Sequence, residues 1–181
     1  MDDLKDRVRD AFRWRGDRTD ELRRADVTGW WRDADVLKRL GPALAALAPD
    51  VSPTVVLGPQ SRGYLVGALV ARELRTGFVE VRKDPGRSAD SDAWWEVSTG
   101  PDYRDRNLSL GVRRDHLRAG DRVLFVDEWV DTGAQAEACH RLVGASGATW
   151  LGAVVIVDAL DRPSLRRELR LRSLLHVREL G

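Results

Sequence analysis

The chain has 181 residues, 43% hydrophobic and 33% charged, a length that fits one compact domain able to bury a full core. Thirty basic against 29 acidic residues leave a formal net charge of +1, so no bulk field draws the chain to nucleic acid or to an anionic membrane. One cysteine, Cys139, excludes an internal disulfide framework, and His116, His140 and His176 offer no zinc site of familiar spacing.

The opening residues, MDDLKDRVRD, are charged, and no run approaches 18 apolar residues. The expectation is a cytoplasmic protein without a secretory leader or membrane span, built as a single domain over 1–181. Leu4, Val8, Ala11 and Phe12 recur at helical spacing, which predicts a short amphipathic helix over 3–14. Residues 16–32 are polar around Trp30-Trp31 and read as irregular. A second helix is expected after Asp33, carrying Val36, Leu37, Leu40, Leu44 and Leu47 on one face, with Gly41-Pro42 kinking or splitting it.

From there strands and helices alternate. Thr54 to Leu57 is a β-branched strand that stops at Gly58-Pro59, and Leu65, Val66, Leu69, Val70 and Leu74 predict a helix over 63–75. Phe78 to Val81 is a second strand. Residues 83–106 read as a long polar loop, and Leu108 to Val112 as an edge strand. A buried strand over Arg122 to Val126 precedes a helix from about Thr132 to Gly144; Trp150 to Val157 and Leu174 to Val177 complete the set. This alternation implies an α/β fold, a mainly parallel sheet flanked by helices, with the core sheet over about 54–160 and N-terminal helices over about 1–50. Ligands of such sheets sit at the carboxyl ends of the strands, so segments 58–63, 82–87 and 127–135 are expected to share one crevice. Cys139-His140 and Trp94-Trp95 read first as packing residues, the tryptophans also as candidates for a stacking lid.

The run from Arg122 to Gln135, RVLFVDEWVDTGAQ, carries the sharpest chemistry. Two adjacent carboxylates, Asp127 and Glu128, end a strand. Thr132-Gly133 follow at a helix start, where free backbone N–H groups and the positive dipole end suit a phosphate. Like charges repel, so the carboxylates suit hydroxyls, a cation or a metal rather than the same phosphate. A sugar phosphate meets both demands.

This run resembles the 5-phosphoribosyl-1-pyrophosphate (PRPP) motif of type I phosphoribosyltransferases, departing from it at Ala134 and Gln135. The run Gln60-Ser61-Arg62-Gly63-Tyr64 resembles the pyrophosphate loop of adenine phosphoribosyltransferases, with Gln60 in place of an acid. Arg82-Lys83 stand where that family ends a strand before its mobile catalytic loop, here 83–106 with Arg87 and Tyr103. Ala25-Asp26-Val27-Thr28 is similar to part of the N-terminal hood that reads the base. Asp131 differs: adenine enzymes usually carry alanine there, whereas hypoxanthine, guanine and xanthine enzymes carry an aspartate.

The resemblance implies a phosphoribosyltransferase fold with a small hood, and transfer of the phosphoribosyl group from PRPP to a purine, adenine favoured, giving a nucleoside monophosphate and pyrophosphate. It assigns Asp131, Asp127 and Glu128 to catalysis, and Asp131, Thr132, Gly133, Ala134 and Gln135 to the 5′-phosphate. Gln60, Ser61, Arg62, Gly63, Arg82 and Lys83 fall to pyrophosphate. It further implies a non-proline cis peptide near Gln60-Ser61-Arg62, Mg²⁺ arriving on PRPP with no protein metal site, and a homodimer binding neither nucleic acid nor membrane. A 6-oxopurine enzyme and a non-catalytic PRPP-binding regulator are the alternatives. A signalling receiver domain is disfavoured, because receivers place their acid pair near the N-terminus.

Overall fold

In the computed structural model, residues 2–17, 23–85, 93–100 and 108–181 are described. The N-terminal layer is α1 (Asp2–Asp10), β1 (Arg13–Arg15), β2 (Arg24–Asp26) and α2 (Thr28–Arg32). The expected helix over 3–14 therefore stops at Asp10, and the stretch read as irregular carries a strand and a helical turn. Strand β1 pairs antiparallel with β2, Trp14 opposite Ala25. The Asp26 carboxylate holds this turn: it accepts from Arg15 Nε (2.9 Å), Thr28 N–H (3.0 Å) and the Thr28 hydroxyl (2.5 Å).

Helix α3 (Ala34–Ala45) starts where Asp33 caps the amides of Asp35 and Val36. It is not split at Gly41-Pro42. Ala46 N–H bonds the Pro42 carbonyl at 3.0 Å, so the ladder resumes one turn later. Gly41 has a packing reason, because a Cβ there would lie 2.7 Å from the Leu69 carbonyl oxygen of the helix packed against α3.

The core then builds as β3 (Val55–Pro59), α4 (Arg62–Leu74), β4 (Gly77–Lys83), β5 (Trp94–Ser98), β6 (Ser109–Arg113), β7 (Arg122–Val130), α5 (Ala134–Ala145), β8 (Thr149–Asp158), α6 (Pro163–Glu168) and β9 (Leu171–His176). Among the described residues the sheet has seven strands in the order β5-β6-β4-β3-β7-β8-β9. The five from β4 to β9 are parallel, whereas β6 runs antiparallel to both β4 and β5. Three expectations are corrected here. The segment read as one long loop contains β5; β6 is an inner strand, with β5 at the edge; and β9 carries the sheet past residue 160. Strand β5 gives little local signal because its Trp94-Trp95-Glu96-Val97-Ser98 alternation is short and lies in a polar setting.

Side chains alternate across the sheet. Val56, Leu124, Val126, Val154 and Ile156 join a core with α1, α3 and α4. Val55, Leu57, Val123, Phe125, Ala153 and Val155 join the opposite core with α5 and α6. Both faces are covered, which is why the central strands read as continuous apolar runs. Trp94 and Trp95 are half-buried: Trp95 donates to the Leu117 carbonyl at 3.3 Å and carries the Arg114 guanidinium over its ring. They behave as anchors of the sheet edge. Cys139 is fully buried and burial raises its thiol pKa, while His140 lies against the Trp150 ring.

The connection that leaves β3 through α4 goes to β4 on one side, while β7 flanks β3 on the other. Such a switch in strand order opens a crevice at the carboxyl ends of β3 and β7.

Candidate active site

Four segments meet in that crevice. Strand β3 ends in Gly58-Pro59, and the Gln60–Ser61 peptide that follows is cis. Helix α4 then begins at Arg62. Gln60 N–H donates to the Val81 carbonyl (2.8 Å), and Gln60 Oε1 accepts from Lys83 N–H (3.1 Å), so the turn is tied to the end of β4. Gln60 thus joins two of the predicted pyrophosphate-binding segments. Gly63 lies where a Cβ would come within 2.5 Å of the Pro59 ring and 3.0 Å of Asp127 Oδ1. Only glycine lets this helix start sit so close to the acid strand.

Strand alternation divides Arg82 from Lys83. Lys83 shares a face with Val79 and Val81, and its charge acts on Asp127. Arg82 lies on the other face with Glu80, 3.9 Å away. Arg87 and Tyr103, expected in the mobile loop, lie outside the described residues.

Strand β7 runs past the acid pair to Val130, so Asp127 and Glu128 lie within the strand rather than at its end. Asp127 is 7% exposed; its Oδ1 accepts from Glu128 N–H at 2.9 Å. Burial, reinforced by the neighbouring Glu128 charge, pushes the Asp127 pKa well above the usual carboxylate range. Glu128 turns toward the head of α4, where its Oε1 lies 3.2 Å from Arg62 Nε. Two opposite charges assigned to different parts of one substrate therefore face each other across the crevice.

Residues Asp131-Thr132-Gly133 make the bend before α5, which begins at Ala134, two residues later than expected. Gly133 adopts φ +82°, a left-handed conformation that favours glycine. No side chain caps α5 at Gly133, although Ala134 N–H reaches Thr132 Oγ1 at 3.3 Å. A helix start of this kind can receive an anion on its backbone amides. Ala134 is buried and Gln135 half-buried. Asp131 reaches solvent at the rim, yet the desolvation it does suffer raises its pKa.

Two features of the site are not apparent from the linear motif. Trp129, between the acid pair and the bend, stacks on Phe12 (6.0 Å, 22°) and meets Trp14 edge-on (6.1 Å, 84°), which docks the N-terminal layer onto the motif. Asp158, at the end of β8, is 5% exposed and bonded to Arg166. An aspartate that ends a run of seven buried residues is the sequence signal for it.

The crevice thus holds a cation and carboxylates in contact, beside a helix start suited to phosphate. Residues 44–175 match the phosphoribosyl transferase domain. The chain is 31% identical over 157 residues to the adenine phosphoribosyltransferase of Brevibacillus brevis, covering 85% of this chain and 89% of the relative. To that of Streptomyces coelicolor it is 34% identical over 136 residues, covering 74% and 70%. The adenine phosphoribosyltransferase structure from Thermoanaerobacter pseudethanolicus superposes with a TM-score of 0.83 at 24% identity, covering 95% of this chain and 99% of that one, a likeness of fold. With the domain matched over most of its length, and with relatives that align along most of it, the chain belongs to the type I phosphoribosyltransferase family.

Proposed function

We propose that this chain transfers the phosphoribosyl group of PRPP to adenine, releasing AMP and pyrophosphate, and that it does so as one domain. The observation that carries the reading is the convergence of Arg62, the Asp127–Glu128 pair and the 131–135 bend at the ends of β3 and β7. The names of its relatives support adenine as the base.

The reaction breaks the bond from C1′ to the pyrophosphate oxygen, whose electron pair leaves with pyrophosphate, and forms a bond from C1′ to a base nitrogen. The transition state resembles an oxocarbenium ion. Arg62 and Lys83 neutralise the leaving charge, and the hydrogen bonds from Gln60 to the end of β4 keep their two segments together. Asp127 and Glu128 hold the ribose hydroxyls and lie next to the positive charge that develops at C1′. Before substrate arrives Arg62 and Glu128 satisfy each other; PRPP offers each a better partner. The amides after Thr132-Gly133 receive the 5′-phosphate. Asp131 accepts the proton that the base must lose, and burial that raises its pKa improves it as a base near neutral pH.

Among the described residues no cluster of three His, Cys, Asp or Glu side chains could hold a metal ion. The divalent ion of this reading belongs to the substrate, as Mg²⁺ on the PRPP pyrophosphate. No described helix is long and apolar enough to cross a membrane. Cytoplasmic residence and a homodimer remain part of the proposal; sedimentation tests the second.

Asp131 supports a second reading, a 6-oxopurine substrate, because by the family resemblance an aspartate at this position is typical of hypoxanthine, guanine and xanthine enzymes, although at a purine N7–H it serves adenine as readily. The deciding experiment incubates the protein with Mg-PRPP and adenine, hypoxanthine, guanine or xanthine and follows pyrophosphate release. Release with adenine alone is expected. Release only with 6-oxopurines would reassign the base, and release with none would leave PRPP binding without transfer.

A further inference from the structure

The bend assigned to the 5′-phosphate packs against residues outside the motif. Gly133 is buried, and a Cβ at that position would lie 2.6 Å from Leu165 Cδ2 and 3.0 Å from Leu160 Cδ1. These two leucines, each 2% exposed, form the outer wall of the bend. Neither belongs to the motif. Leu165 is on α6, and Leu160 is in the turn that joins β8 to α6.

One carboxylate organises that wall. Asp158 Oδ1 accepts from Leu160 N–H at 2.8 Å, and Asp158 takes a two-point contact from Arg166, Nε to Oδ2 at 2.7 Å and Nη2 to Oδ1 at 3.2 Å. The same Arg166 Nη2 also donates to the Leu160 carbonyl. Arg166 thereby closes the turn from 158 to 166 on itself and fixes both leucines. The turn is tied to the motif strand as well: Ala159 N–H donates to the Val130 carbonyl at 2.8 Å, and Val130 pairs with Asp158 in register. From the side of α5, Glu137 reaches Arg162 at 3.4 Å. The pair is shielded, since the Asp158 side chain is 7% and the Arg166 side chain 32% exposed, so it acts as a fixed brace rather than a solvated surface bridge.

We infer that Asp158 and Arg166 are positioning residues for the 5′-phosphate loop, acting through Leu160 and Leu165 on Gly133. The inference rests on reading residues 131–135 as that loop. A phosphate held by several backbone amides needs them aimed together, and a small shift of one peptide weakens all its contacts at once. Loosening the brace therefore lowers affinity for the phosphate end of the substrate and spares the pyrophosphate end, which is held by elements on the far side of the crevice.

The test measures binding of ribose 5-phosphate and, separately, of Mg-pyrophosphate to Asp158→Asn by calorimetry, together with KM and kcat for PRPP. Asparagine keeps the acceptor for Leu160 N–H and weakens the hold on Arg166. Ribose 5-phosphate should bind about tenfold more weakly and KM for PRPP rise by a similar factor. Mg-pyrophosphate affinity and kcat should stay within about twofold, the pattern of lost uniform binding. Asp50→Asn is the control, because Asp50 also makes a two-point pair, with Arg172 at 2.6 and 2.9 Å, but contacts no site segment. An equal loss of ribose 5-phosphate affinity in Asp50→Asn would show general softening and overturn the inference. Thr132→Ala separates the brace from the loop it supports. If it weakens ribose 5-phosphate and Asp158→Asn does not, the brace is refuted and the loop reading stands; if neither does, both fall. Should Asp158→Asn not fold, Arg166→Lys keeps the charge and loses the grip on the Leu160 carbonyl. A smaller loss confined to ribose 5-phosphate supports the brace, and none refutes it.

Discussion

Arg62 Nε lies 3.2 Å from Glu128 Oε1, joining the head of the helix after β3 to the acid pair of β7. The two groups neutralise each other across the crevice. The Arg62 side chain is 47% exposed, so this contact adds little to stability, and its consequence lies in binding.

Arg62→Ala should weaken Mg-PRPP binding by about 2–3 kcal/mol, the cost of removing a charge-assisted contact. Its melting temperature should stay close to that of the parent protein. Titration calorimetry checks the first and a thermal melt the second. Unchanged affinity would move the pyrophosphate site away from Arg62.

Asp131→Asn keeps the shape of the rim and removes the proton acceptor. Turnover should fall at least about tenfold with each active base, while PRPP affinity is held or raised. The parent enzyme should lose activity as pH falls through the raised pKa of Asp131, since only the carboxylate accepts a proton. That acid limb should be missing from the pH profile of the variant. Full turnover in Asp131→Asn would assign the proton to another group.

Asp127 has a consequence for stability. Its folded pKa is raised by burial and by Glu128, so the folded state favours the protonated acid. The stability this confers is complete below the unfolded value, about 3.9, and is lost as pH rises through the folded pKa. Asp127→Asn stays neutral, keeps the acceptor for Glu128 N–H, and should melt about 2–4 °C higher at about pH 7.5, roughly 1 kcal/mol for a chain of this size. The gain should shrink as the pH is lowered toward about 4, the unfolded value. An equal gain at both ends of that range would rule out ionisation as its cause.

Gly63→Ala places a methyl group 2.5 Å from the Pro59 ring and 3.0 Å from Asp127 Oδ1. The ring is rigid, so the head of α4 must move. Denaturant titration should show a loss of about 1–3 kcal/mol, and Mg-PRPP affinity should fall with it. A neutral substitution would mean the turn is looser than its contacts indicate.

Much of the site is legible along the chain because it is built from contiguous runs. The apolar strand through Val126, the adjacent acids, the glycine at the helix start and the arginine after β3 each carry a local physical meaning, and alternation of strands with helices brings their ends together. Local pattern fails where pairing or packing decides. Nothing within Trp94 to Ser98 distinguishes a short strand from a polar loop, since its partner is the separate strand β6. Pro42 would break an isolated helix, yet α3 continues because Gly41 lets it press against α4 and bury Leu40 and Leu44. Arg82 and Lys83 look equivalent in sequence until the pleat of β4 sends them to opposite faces. Phe12 and Trp14, the partners of Trp129, come from the other end of the chain, and the Arg166 that pairs with Asp158 sits eight residues on, at no spacing that a regular element would mark. The sequence by itself determined the chemistry available to the crevice and the order in which it is presented. Only the tertiary structure decided which charges meet, which acid is desolvated and which leucines pack against the bend at Gly133, because burial and contact depend on residues far apart along the chain.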